Sequence, residues 1–157
     1  MPSIGIVEYL KNPITAFLDV HQLRDHCDHH ERMKKGVDLY EFQFEECRLE
    51  ACFSNGEYLY DMIRFRSQQF ERRRLLDLDF AGMNENFSMS ATEQFCIAHK
   101  LRYDFFDFYG ERRMFVEARS ISFVDQNSSD CHGLIAAIGG FRTKVDRGGC
   151  VPKYEQS

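Results

Sequence analysis

The chain contains no tryptophan and only three prolines, and no stretch of it approaches the ~20 consecutive apolar residues that a membrane-spanning helix requires. The opening MPSIGIVEYLKN lacks the basic then apolar character of a secretory leader, so an intracellular, cytoplasmic protein without membrane contacts is expected. Recognisable catalytic sequences are also missing. There is no G-x-S-x-G elbow, no glycine-rich phosphate loop and no cysteine in a protease context. Positive charge is scarce, with 20 Lys and Arg against 25 Asp and Glu, and the formal charge of -5 repels nucleic acid unless basic side chains gather on one face. Six cysteines at irregular spacing in a chain of 157 residues do not resemble a small secreted disulfide framework, so reduced thiols are expected.

What the chain does have is apolar material for a core. Hydrophobic residues make up 43% and phenylalanine alone occurs 15 times, which places it among packed globular proteins. The length fits one domain, read as residues 1–145, followed by a mobile tail over 146–157 that carries Gly148-Gly149 and Pro152.

Asn12-Pro13 offers a helix start, and nothing breaks the pattern until Gly36, a common helix terminator. The spacing therefore predicts a helix over 13–35, with Ala16, Val20, Leu23, Cys27 and His30 in one core-facing stripe. Beyond Gly36 the period falls to two. Tyr40, Phe42 and Phe44 alternate, then Cys47, Leu49, Ala51 and Phe53, with a phase shift at Glu45-Glu46 that implies a bulge or tight bend. Asn55-Gly56 between alternating runs is a strong hairpin signal, and the returning strand runs from Glu57 to about Arg66. Phe95 to Phe105 alternates again and turns at Tyr109-Gly110 into a run from Met114 to Val124. This predicts a second long hairpin, with a helix opened by Ser90 and Glu93 as the competing reading. The fold class read from this pattern is α+β: a long N-terminal helix packed on a curved, mainly antiparallel β-sheet of about six strands, closing in part into a barrel.

Four of the six histidines, His21, His26, His29 and His30, fall within HQLRDHCDHHE. On one helix His26 and His30 share a side at i, i+4, a geometry used by zinc sites, although core and rim packing accounts for them equally well. Cys96 and His99, with Cys131 and His132 farther on, are a second set of acceptable zinc ligand types. A strand through 95–105 would put Cys96 and His99 on opposite faces, so that site needs the helical alternative. Tyr58, Tyr60, Arg64 and Arg66 fall on one face of the returning strand, where aromatic and guanidinium groups could hold a ligand or stack nucleic-acid bases; pairing with nearby acids is the bland alternative.

With no catalytic motif, the leading expectation is a non-catalytic binding or regulatory protein acting through protein contacts, including contact with a second copy. A viral or host-interaction accessory factor would fit that description. The other readings are a zinc-binding protein, a small-ligand carrier or lyase using a cavity between helix and sheet with His99 as acid or base, and an RNA-binding protein. No cofactor is expected unless zinc occupies the Cys and His ligands.

Overall fold

The structure, a computed structural model, describes residues 2–65, 76–124 and 133–142. The expected tail over 146–157, together with Arg66, Cys131 and His132, lies outside them. The described residues are 48% strand and 21% helical. Their main element is one eight-stranded antiparallel sheet in the order β2-β3-β4-β5-β10-β9-β8-β7. Its strands are β2 (His29–Lys34), β3 (Val37–Gln43), β4 (Cys47–Ser54), β5 (Glu57–Phe65), β7 (Tyr103–Phe108), β8 (Glu111–Val116), β9 (Arg119–Val124) and β10 (Leu134–Ile138). Two short strands, β1 (Ser3–Gly5) and β6 (Asp77–Asp79), pair in parallel beside it. No described helix is long and apolar enough to cross a membrane.

The long N-terminal helix does not exist. The segment divides into α1 (Ile6–Lys11), a single 3-10 turn over Ile14–Ala16, α2 (Val20–His26) and then β2. Local hydrogen bonding supplies the reason. The Asp19 carboxylate accepts from the Gln22 N–H at 2.8 Å while the Gln22 side chain accepts from the Asp19 N–H at 3.1 Å, a reciprocal cap that starts a new helix in mid-segment. Cys27 ends it in extended conformation, and Asp28 then docks on β3, donating its N–H to Glu41 O and accepting from Gln43 N. Gly36, with φ of +80°, turns a hairpin between β2 and β3 rather than closing a helix. The fold is mostly β instead of a helix laid on a sheet. The predicted core stripe holds only in its middle: Leu23 is buried and Val20 and Cys27 pack against the core, but Ala16 and His30 are exposed, whereas Ile14 and Leu18 are buried.

The hairpin at Asn55-Gly56 forms as its sequence demands, with φ of 51° and 81° at the two turn residues. Tyr109-Gly110 repeats that geometry, with 49° and 81°, between β7 and β8. The stretch before it departs from the strand reading. Ser88 caps α3 (Met89–Ala98) by accepting from the Ala91 N–H at 3.1 Å, and Lys100 at φ 56° stops the helix before β7 begins. The run from Met114 to Val124 likewise breaks into β8 and β9 at a turn where Glu117 has φ 54°.

Register divides the sheet into two faces. Phe42, Leu49, Ile63, Ile138, Ile121 and Met114 stand in one row across six strands. This inner face packs with Ile6, Tyr9, Leu10, Ile14, Leu23, Phe95 and Cys96 from the helices into a single apolar cluster.

Two charges sit inside that cluster. Arg119 on β9 and Asp61 on β5 have side chains 0% exposed and pair at 2.6 Å. The remaining guanidinium hydrogens go to main-chain carbonyls: Nε to Tyr9 O at 2.8 Å, Nη1 to Asp61 O and Gly139 O at 3.1 Å each, and Nη2 to Asn12 O at 2.8 Å. Asp61 also accepts from the Tyr58 hydroxyl and from the Ile14 N–H at 3.3 Å. The Tyr9 ring lies 3.6 Å below the guanidinium carbon. Arg119→Leu strands a buried carboxylate and is expected to cost about 3–5 kcal/mol in urea unfolding, whereas Asp61→Leu combined with Arg119→Leu costs less than that single change. A double variant as unstable as the single one would show that the pair is not the source of the loss.

Candidate functional site

The opposite, outer face is built differently. Its rows run Gln43–Arg48–Arg64–Ala137–Ser122 and Glu41–Glu50–Met62, followed by Leu39–Cys52–Tyr60. Toward β7 the same face carries Ser120 beside Phe115 and Arg113 beside Phe106. Carboxylates form its floor and guanidiniums stand over them. Glu50 is 5% exposed and bonds Arg64, which is 49% exposed; Glu41 is 6% exposed and lies 3.7 Å from Arg48. Each arginine is thereby held upright by an acid from the neighbouring strand, a diagonal cross-strand pairing.

This face also holds hydrogen-bonding capacity that the described chain does not use. Among the described residues, the buried side-chain atoms without a partner, other than Tyr9 Oη, are Glu41 Oε2, both amide atoms of Gln43, Arg48 Nε and Arg113 Nε. All five belong to the outer face. A buried polar group left unsatisfied costs on the order of 1–3 kcal/mol.

At its far end the face rises into the β7–β8 hairpin. Phe106 stacks on Phe115 with ring centroids 4.1 Å apart, and the Arg113 guanidinium covers Phe108 at 4.5 Å. Phe108 is 39% exposed and Tyr109, at the tip, 93%. Between hairpin and guanidinium ladder the floor is low, because β9 and β10 present the half-buried Ser120, Ser122, Ala137 and Gly139. The close approach is specific to glycine at one point: a Cβ on Gly139 would lie 2.6 Å from Ser120 Oγ.

The residues singled out in the sequence scatter over this architecture. His26 ends α2 and His30 lies on β2, so no helix carries them at i, i+4. His30 Nε2 bonds Asp38 Oδ1 at 2.8 Å, its ring stacks on Tyr40 at 4.7 Å, and its hydrogen bond, ahead of Arg32, holds the Asp38 carboxyl below the usual range. Cys96 is buried in α3, while His99 follows the helix with its ring 4.3 Å from that of Phe95. Among the described residues no three His, Cys, Asp or Glu side chains converge to hold a metal. Cys27, Cys47, Cys52 and Cys96 are thiols rather than disulfides.

Tyr60 and Arg64 share the outer face, but Tyr58 does not. The register shifts at Leu59, where Cys52 pairs with Tyr60 and Phe53 with Tyr58, and this bulge turns Tyr58 to the inner side against Asp61. Burial pushes the Tyr58 phenol well above its ordinary range, and the Asp61 charge adds to the shift. Asp61 and Arg119 were not readable as a pair, since 58 residues separate them. The outer ladder had a partial signal in the nearby acids that could pair with Arg64.

Burial, reinforced by the charges of Glu117 and Glu93, pushes the Cys96 thiol up to about 12. Against an ordinary thiol near 9, roughly a thousandfold less thiolate exists at pH 8, and alkylation of the native protein at Cys96 should be slowed by about that factor. The raised value also fixes a sign: the unfolded thiol ionises first, so stability contributed by neutral Cys96 is full below pH 9 and drains away towards pH 12. Mass-spectrometric alkylation rates check the first point, and native Cys96 reacting as fast as a model thiol would refute it.

Comparison with protein-family models, with curated proteins and with solved structures finds no match for this chain, so its site is read from its own geometry.

Proposed function

We propose that this is a non-catalytic binding protein that works through protein contacts made by the β7–β8 hairpin and the outer face behind it. The observation that carries this reading is the hairpin tip. Tyr109 stands in solvent at the end of the sheet and Phe108 is partly exposed beside it, with the Arg113 guanidinium already placed over the Phe108 ring. Aromatic and arginine side chains supply a disproportionate share of binding energy at protein interfaces, because they bury large areas with few torsions to freeze. Exposed tyrosine at a two-residue turn contributes nothing to the core, and a turn has no packing need for it.

The polar inventory supports binding over catalysis. The most buried acid and base, Asp61 and Arg119, spend their hydrogen bonds on the main chain, Tyr58 and each other. The outer arginines are paired with acids, which weakens the uncompensated positive field that polyphosphate binding depends on.

The double variant Phe108→Ser, Tyr109→Ser should fold as the parent does, since both side chains are exposed, yet lose its protein partners by about tenfold or more in affinity. Crosslinking the full-length parent and variant in the same extract measures this. Identical partner sets sink the reading, and recovery of polynucleotide that is shed as salt rises would replace it with the nucleic-acid one.

A further inference from the structure

We propose that the β3–β4 corner of the outer face is a built site for one ordered water molecule, held by the side chains of Glu41, Gln43 and Arg48. It stands apart from the hairpin and does not depend on the protein contact proposed there.

The three residues are neighbours by register. Glu41 and Gln43 are two apart on β3 and share the outer face, and Gln43 pairs directly with Arg48 on β4. In such a cross-strand pair the Cβ atoms lie about 5 Å apart. Arg48 Nη1 is 3.7 Å from Glu41 Oε1, so this side chain leans along β3 from Gln43 towards Glu41 and carries its Nε with it. Main-chain bonds fix the frame from which these side chains rise. Gln43 N donates to Asp28 Oδ2 at 2.7 Å, and Phe44 N to Cys47 O at 2.9 Å closes the bend just beyond.

Four polar atoms of this corner are buried without a partner: Glu41 Oε2, Gln43 Oε1, Gln43 Nε2 and Arg48 Nε. Gln43 is 3% exposed, so its amide is withdrawn from bulk solvent with both ends unspent. The Arg113 Nε atom, on β8, is four strands away from Arg48 and takes no part.

The balance of donors and acceptors identifies the ligand. Glu41 Oε2 and Gln43 Oε1 accept hydrogen bonds, while Gln43 Nε2 and Arg48 Nε donate them. Turning the Gln43 amide over exchanges its two atoms and leaves that balance unchanged. An anion would suit the donors but meet the Glu41 carboxylate. A cation would suit the acceptors but meet the Arg48 guanidinium. What fits is a neutral molecule with two hydrogens and two lone pairs, small enough for a place no macromolecule can enter. Water has that inventory, and buried waters typically make about three bonds, within a range of two to four, to groups that otherwise have none. Immobilising one water costs less than leaving several buried groups unsatisfied. The water then joins β3 to β4 as part of the fold.

Nuclear magnetic resonance of the full isotope-labelled chain tests this. The side-chain amide protons of Gln43 and the Nε proton of Arg48 should both give NOE and ROE cross peaks of opposite sign to the water resonance, the mark of water that tumbles with the protein. Gln43→Leu removes two of the four partners, and the Arg48 cross peak is expected to be lost with them. Tyr109→Ser, at the exposed hairpin tip, should leave both cross peaks in place. Circular dichroism establishes that each variant is folded; if Gln43→Leu is not, the two cross peaks of the parent carry the test. A parent lacking either cross peak, or an Arg48 cross peak that persists in folded Gln43→Leu, overturns the inference. Displacement of the water signal by added ammonium or chloride overturns it in favour of an ion site.

Discussion

The Arg119 guanidinium is the point at which the separate parts of this chain are tied together. It reaches the carbonyls of Tyr9 and Asn12 at the end of α1, the carboxylate and carbonyl of Asp61 on β5, and the carbonyl of Gly139 just past β10. Carbonyls in the last turn of a helix lack their i+4 donor, and although Tyr9 O also takes the Asn12 N–H at 3.3 Å, a planar cation with five hydrogens is well suited to collecting them. A lysine would bring three hydrogens from a single atom and could not span the same carbonyls. The Coulombic gain of the pair has to offset the desolvation of two ions. What makes the arrangement tenable is that both are fully bonded, Asp61 by Tyr58, Ile14 and Arg119 in turn. From Tyr58 the contacts continue outward through Phe53 and Tyr40 to His30, ring against ring, so order at the centre extends to the edge of the sheet.

That tie decides what the two faces of the sheet can be. Once α1 and the turn after it are fixed over β5 and β9, the helices and their apolar residues are committed to the inner face, where they form one cluster with Phe42, Leu49, Ile63, Ile121 and Ile138. The outer face must then be finished some other way. An antiparallel sheet can leave one face to water, and such a face ordinarily alternates to exposed polar side chains. Here it carries nearly buried acids beneath arginines, and aromatic rings at one end. The core gives no reason for those features, and the proposed protein contact takes its start from the aromatic end of this face.

The sequence was legible wherever one local signal dominated. Asn55-Gly56 and Tyr109-Gly110 specify their turns because the second residue must take positive φ and glycine does so without strain. The phase shift at Glu45-Glu46 is a tight bend, closed by the Phe44 N–H on Cys47 O. The N-terminal third was misread because helical spacing of apolar residues outweighed a short cap. Asp19 with Gln22 three residues on is a helix start lying inside an otherwise unbroken pattern, and the β2 strand after it is exposed along its whole length, leaving no alternation to detect. The outer face was half visible. Tyr60 and Arg64 were placed together, but Tyr58 was put with them because a bulge at Leu59 is invisible to strict period-two counting. Asp61 and Arg119 left no local trace, since pairing across distant strands is a property of topology.

Edges and faces of this sheet are treated oppositely, and that contrast bears on how the molecule meets others. Edge strands invite further strands unless something blunts them. On β2 the blunting is charge and irregularity: His29, His30, Glu31, Arg32 and Lys34 line it, and the register slips between Arg32 and Lys34. On β7 it is chemical. In a hairpin closed by a two-residue turn, Phe108 and alternate residues before it point their main-chain groups at β8, which leaves Phe105 facing outward. The N–H of Phe105 is taken by the side chain of the preceding Asp104 at 2.8 Å. With the central one of its three outward-facing donors occupied, the strand is less well prepared to extend the sheet edgewise. The rings of Phe106 and Phe108 stand on the outer face instead of along this edge, packed on Phe115 and under Arg113, so the aromatic content of the hairpin is directed away from edgewise pairing.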